Sequence, residues 1–255
     1  MKKEFIHNRN GQKIAVLLDE ISNPIGLAFV MHGLGGFKEQ SHIQVITDAL
    51  LESHYMVVRF DTTNTLGESD GDYADATVTN YYADLEDVIG WAKQQSWYIE
   101  PFVLVGHSLG GICVALYAEN YPEKIKALAP IATVVSGALS MEKEAEGELE
   151  EWKQTGWRIQ PSNSKPGLIK RLKWSHMEDR LKYDLLPKAN KLTMPTILIV
   201  GELDESTLPK HQQILFTHLP SKKEIHIIKG APHTYKESGH LEELKEILKK
   251  WITNI

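Results

Sequence analysis

The chain has 255 residues, 42% of them hydrophobic, and a formal net charge of −6. That length holds one large α/β core with a modest insertion. The acidic balance excludes a dedicated nucleic-acid binder, which needs a basic excess to neutralise phosphates.

The first elements are an N-terminal pair. "KEFI" reads as a strand that pairs with "KIAVLLDE" across a turn at residues 8–11. No apolar run follows the opening lysines, so no signal peptide is expected. Nor does any stretch approach the roughly 20 apolar residues of a membrane-spanning helix. The one cysteine, Cys113, has no partner for a disulfide within the chain. These features fit a reducing compartment, and a cytoplasmic location is the expectation.

"LAFVMHG" (27–33) reads as a buried strand ending in glycine, followed by a helix over 41–53 and the strand "YMVVRFD" (55–61). The spacing of Tyr81, Leu85, Val88, Ile89 and Ala92 predicts one helical face within 78–95. "PFVLVGHS" is a strand, and "LGGICVALYAENY" is a helix that stops before Pro122. "IKALAPIAT", "PTILIVGELD" and "EIHIIKGAPH" complete the strands. The last helix, 240–252, carries Leu241, Leu244, Ile247, Leu248 and Trp251 on one stripe. Strands alternating with helices predict an α/β fold: a mostly parallel twisted sheet, helices on both faces, and the N-terminal pair as an antiparallel edge.

Residues 138–191 break the rhythm, dividing a core of 1–137 and 192–255. They are highly charged and carry Trp152, Trp157 and Trp174. Two readings compete. In one, this is a surface excursion whose aromatics pack a small core of their own. In the other, it is a lid or cap whose tryptophans line a substrate cleft. The acidic run at 142–151 reads as one solvated helix face.

"GHSLG" (106–110) lies where a strand meets a helix and fits G-x-S-x-G. The chain must turn sharply there, and flanking glycines let strand and helix approach. Ser108 is then the candidate nucleophile, at the sheet end where open α/β folds bind ligands. His107 is the wrong base, because adjacent side chains diverge in a tight turn. It is expected to pack beside the turn and support it. The N–H of Leu109, directly after the serine, suits an oxyanion donor. The glycine-rich loop "HGLGG" (32–36) fits neither G-x-x-x-x-G-K-[ST] nor G-x-G-x-x-G. No His, Cys and carboxylate cluster has metal-ligand spacing, so neither cofactor nor metal is expected.

These motifs resemble the α/β-hydrolase family over nearly the whole chain, and within it small carboxylesterases of the feruloyl-esterase or monoacylglycerol-lipase type. The resemblance implies a chain order of Ser, then Asp, then His. Asp204 follows the strand "TILIV", and His233 follows "EIHIIKG". It also implies that the Leu34 N–H is the second oxyanion donor. The segment "FDTTNTLGESDG" keeps the family's Asp61, Gly67 and Ser69, but Thr62, Thr63 and Asn64 replace a common Arg-Gly.

A serine nucleophile, rather than an aspartate, favours acyl chemistry. The expected activity is a carboxylesterase acting through an acyl-enzyme on small or medium acyl or aryl esters. Its partner would be a small-molecule ester, with no nucleic acid and no stable membrane anchor. Three alternatives stay open: a thioesterase, a peptidase, and a ligand-binding protein that reuses the fold without turnover.

Overall fold

In the computed structural model, residues 1–143, 147–162, 165–220 and 222–255 are described. The chain opens with β1 (Lys2–His7) and β2 (Lys13–Asp19), which pair antiparallel. There follow β3 (Gly26–Met31), α1 (Ser41–Glu52), β4 (Tyr55–Phe60), α2 (Val78–Ala92), β5 (Phe102–His107), α3 (Leu109–Asn120) and β6 (Ile125–Ile131). The excursion holds α4 (Glu148–Thr155), the antiparallel hairpin of β7 (Trp157–Pro161) and β8 (Ile169–Lys173), and α5 (Ser175–Arg180). The chain closes with β9 (Thr196–Gly201), α6 (Pro209–His218), β10 (Lys223–Ile228) and α7 (Ser238–Thr253).

Eight of the described strands form one sheet in the order β1-β2-β4-β3-β5-β6-β9-β10. From β4 to β10 all pairs are parallel, and β2 joins β4 antiparallel. Successive strand residues face opposite sides. Phe29 therefore joins one core with α2 and α3, while Ala28 and Val30 join another with α1 and α7. The full burial of β3, β4, β5 and β9 requires the continuous apolar runs seen in the sequence. The outer strand β10 is only partly covered. Among the described residues, no helix is long and apolar enough to cross a membrane.

The strand order fixes where a site can form. The chain leaves β3 for β4 on one side, then returns to place β5 on the other. The loops after β3 and β5 diverge around this switch point, which opens a crevice at the carboxyl ends of the strands.

A buried ion pair ties the first of these loops to the next. Lys38 Nζ, fully buried, lies 2.8 Å from Asp61 Oδ2 and 2.6 Å from Glu68 Oε2. Asp61 also accepts from the N–H groups of Lys38 and Glu68, each at 2.8 Å. Gly67 is required here, since a Cβ on it would sit 2.2 Å from the Asp61 carboxyl carbon. The segment around Asp61 therefore supports the loop after β3, with or without the Arg-Gly.

The excursion leaves and returns beside itself: Ser136 bridges Asp184, and the Gly137 N–H donates to the Tyr183 carbonyl at 2.9 Å. The acidic run differs from the expected single helix. Glu142 lies in a short 3-10 turn (Leu139–Lys143), residues 144–146 fall outside the described set, and α4 begins only after Gly147, at φ 84°. A residue in that left-handed conformation ends one helical path and starts another.

Asp61→Ala would leave the Lys38 ammonium buried with only the exposed Glu68 and Glu39 for compensation. It is expected to destabilise the fold by about 3 kcal/mol, the low end for breaking a buried pair. Urea denaturation of the two proteins measures this.

Candidate active site

Ser108 occupies the turn between β5 and α3 with φ 56° and ψ −115°. This is strained backbone for a residue with a side chain, typically costing about 1–3 kcal/mol. Tight packing enforces it. A Cβ on Gly106 would lie 2.3 Å from the Gly110 carbonyl oxygen, and one on Gly110 would lie 2.5 Å from that of His32. The Ser108 N–H donates to the Ile131 carbonyl at 2.9 Å. The hydroxyl is thereby held at the carboxyl edge of the sheet.

Its neighbours arrive from two other strand ends. His233 Nε2 accepts from Ser108 Oγ at 2.9 Å, and His233 Nδ1–H donates to Asp204 Oδ2 at 2.8 Å. Asp204 is fully buried, whereas the His233 side chain is 20% exposed. Burial opposes the charge on Asp204, yet His233 and the Thr207 N–H and hydroxyl together hold it below the usual carboxylate range. The N–H groups of Ser206 and Thr207 both donate to Asp204 Oδ1 at 2.8 Å.

Two further imidazoles crowd the same space. His107 Nε2–H donates to the His233 carbonyl at 2.9 Å, and the rings lie 4.7 Å apart. Burial, reinforced by His42 and His233, keeps His107 well below its ordinary pKa. Burial likewise lowers His42 to about 3. Both stay neutral at physiological pH. His107 thus holds the loop that carries His233, as a support beside the serine.

The loop after β3 turns tightly: the Gly36 N–H donates to the Gly33 carbonyl at 2.9 Å, with Gly35 at φ 64°. His32 fixes this turn. Its Nδ1–H donates to the Gly33 carbonyl at 2.8 Å, and its Nε2 accepts from the Thr62 N–H at 3.1 Å. A Cβ on Gly33 would lie 2.8 Å from that of Ser108, so the loop rests directly on the serine. Neither the Leu34 nor the Leu109 N–H has a hydrogen-bond partner among the described residues.

Comparison with known proteins follows the same lines. The model of the family described as serine aminopeptidase, S33, matches residues 22–237. The chain belongs to this family of α/β-hydrolase serine hydrolases. Rat palmitoyl-protein thioesterase ABHD10, mitochondrial, is 25% identical over 246 residues, spanning 94% of this chain and 70% of the relative. Est1E of Butyrivibrio proteoclasticus with ferulic acid bound superposes with a TM-score of 0.85 at 23% identity, covering 98% of each chain. Mouse alpha/beta hydrolase domain-containing protein 10 gives 0.81 at 22% identity, covering 100% of this chain and 99% of its own.

In this serine hydrolase the serine opens into a cleft of about 500 Å³, bordered by the loop after β3, the His233 loop and the excursion. The three tryptophans part company there. Trp152 is 2% exposed, lines the cleft and donates from Nε1 to the Leu172 carbonyl at 3.1 Å. Trp174 packs edge-on behind it at 5.5 Å, and Trp157 lies under the Arg171 guanidinium at 4.7 Å, so neither reaches the cleft. Among the described residues, no three His, Cys, Asp or Glu side chains cluster as metal ligands would.

Thr207, His32 and Tyr73 are site residues that the sequence reading did not single out. Thr207 had a usable signal: an Asp followed two and three residues later by Ser-Thr is an Asx-turn pattern, which orients a carboxylate. Tyr73 had none, since it reaches the cleft through contacts distant in sequence, and His32, though it opens the quoted HGLGG loop, carried no sign of its bond to the Thr62 N–H.

His233→Ala is expected to abolish ester turnover while leaving the fold intact. His107→Ala should lower Tm and reduce turnover by about tenfold or less, because it releases the His233 loop without removing the Nε2 acceptor. Parallel thermal melts and initial rates of both variants separate the two roles.

Proposed function

We propose that Ser108, His233 and Asp204 form a catalytic triad that hydrolyses carboxylic esters through an acyl-enzyme. One observation carries this reading: the continuous hydrogen-bond chain from Asp204 through His233 to the hydroxyl of a serine held in strained backbone. As Ser108 Oγ attacks the acyl carbon, His233 Nε2 takes its proton. Asp204 fixes the Nδ1–H tautomer and stabilises the imidazolium. The carbonyl electron pair moves onto oxygen, where the free Leu34 and Leu109 N–H groups receive it. Collapse expels the alcohol, protonated by His233, and leaves the acyl group on Ser108. Water activated by the same imidazole then releases the acid.

Residues 138–191 would act as a cap over this chemistry, supported by Trp152 and the hairpin at the cleft wall. Trp152 contributes to the substrate wall in this reading; Trp157 and Trp174 support it from behind. A cytoplasmic location belongs to the same proposal, with the buried, free Cys113 as its support.

A thioesterase is the second reading, favoured by the likeness to rat palmitoyl-protein thioesterase ABHD10. The same triad would expel a thiolate in place of an alcohol. Activity toward p-nitrophenyl acetate, butyrate, octanoate and palmitate, set against palmitoyl-CoA, discriminates the two. The short and medium oxygen esters should be turned over fastest, and Ser108→Ala should lower their kcat on the order of 10⁴-fold or more. Turnover confined to palmitoyl-CoA would favour the thioesterase, and full ester turnover by Ser108→Ala would refute the triad.

A further inference from the structure

The excursion brings an unusual set of cations to the cleft. Arg158, Lys170 and Arg180 all line it, with His176 between them. Each is built into place. Arg180 Nη2–H donates to His176 Nε2 at 2.8 Å, and His176 Nδ1–H donates to the Ala76 carbonyl at 2.8 Å. The His176 ring stacks on Trp152 at 18°, and Arg158 covers Trp152 at 4.0 Å from its centroid. Arg158, over Trp152, and Arg180, bonded to His176, thus both border the cleft. Among the described residues that line the cleft the carboxylate is Glu39, 3.1 Å from Lys38 Nζ and so already engaged.

A second observation points to a ligand. Tyr73 is 5% exposed and lines the cleft, yet its hydroxyl has no hydrogen-bond partner among the described residues. An unsatisfied buried hydroxyl is destabilising and uncommon in a native fold. Lys170 Nζ lies 5.5 Å from the Tyr73 ring centroid and has no ion-pair partner among the described residues. Burial, with Arg158 beside it, draws the Lys170 ammonium below its ordinary range.

The position relative to the serine is also fixed. A Cβ on Gly35 would lie 2.7 Å from Tyr73 Cε2 and 3.6 Å from Lys170 Cδ. Gly33, two residues earlier in that turn, rests on Ser108. Two residues span at most about 7.6 Å between Cα atoms. The Tyr73 and Lys170 side chains are therefore within a short substrate's reach of the reacting hydroxyl.

We propose that Tyr73, Arg158, Lys170 and Arg180 form a subsite for a carboxylate carried by the substrate, so that the preferred ester is an acidic one. This rests on the esterase reading and names its substrate class. The Tyr73 hydroxyl donates one hydrogen bond, and the lysine and guanidinium groups supply charge-assisted ones. Arg158 and Arg180 keep their existing partners, which orient them. A purely apolar acyl chain would leave the Tyr73 hydroxyl and the Lys170 ammonium desolvated without compensation.

Two matched pairs of esters test this. Mono-p-nitrophenyl glutarate and p-nitrophenyl valerate have acyl chains of equal length, ending in carboxylate or methyl. 4-Acetoxybenzoate and p-tolyl acetate move the same difference to the leaving group. In one pair, Lys170→Gln and Tyr73→Phe should each lower the anionic-to-neutral ratio of kcat/KM by tenfold or more relative to wild type. That pair then says which side of the scissile bond faces the subsite. A change below threefold in both pairs overturns the proposal, whatever the absolute rates. Calorimetric titration of Ser108→Ala with mono-p-nitrophenyl glutarate reads the subsite without turnover. Lys170→Gln in that background should weaken Kd tenfold, and an unchanged Kd overturns the proposal. Loss of all ester turnover with this Kd effect retained would fault the esterase reading alone.

Discussion

The site depends on one enforced backbone conformation. Ser108 at φ 56° is unfavourable on its own, and it persists because the sheet and α3 leave no alternative. Gly106 and Gly110 bring strand and helix backbones to distances that a side chain would forbid. The fold thus spends part of its packing energy to present a hydroxyl. Everything else in the cleft is arranged around that point: the loop after β3 rests on the serine Cβ, and the His233 loop comes within hydrogen-bond reach of its oxygen.

Three imidazoles near one hydroxyl would seem interchangeable, but their environments assign them different tasks. His42 and His107 are buried beside one another without a carboxylate, and burial keeps both neutral. Only His233 combines partial exposure with a buried acid at 2.8 Å. In the proposed mechanism a proton gained there would be stabilised by Asp204, whereas a proton on His107 would be stranded. The neutral pair serves as packing and as a hydrogen-bond clamp on the His233 carbonyl. Geometry alone brings the rings together; the location of the one charge distinguishes them.

Most of the sheet was legible because doubly covered strands need continuous apolar runs, and β3, β5 and β9 display them openly. The hairpin of β7 and β8 was not, since "WRIQP" and "IKRLK" are short, charged and largely exposed, with little apolar pattern to read. Helix α6 also escaped: its polar segment "KHQQ" follows Pro209 and masks a weak apolar face centred on Leu215. Ser108 stood out because G-x-S-x-G closes a recognisable strand, and Asp204 and His233 because the family resemblance implies an acid and then a histidine after the later strand ends. Which tryptophan faces the cleft could not be read, because all three lie in a segment whose path is set by tertiary contacts. Among these are the bonds from Thr79 to Asp179 and from His176 to the Ala76 carbonyl. The unsatisfied Tyr73 hydroxyl is likewise a property of the assembled cleft, invisible in a list of residues.

Trapping the covalent intermediate tests the central claim most directly. The protein would be mixed with a p-nitrophenyl ester, quenched in acid during turnover, digested, and mapped by peptide mass spectrometry. An acyl group should be found on the peptide containing Ser108 and localised to that side chain. Ongoing hydrolysis with the acyl group on another residue, or with no acyl-peptide under conditions where alcohol release outruns acid release, would contradict the account.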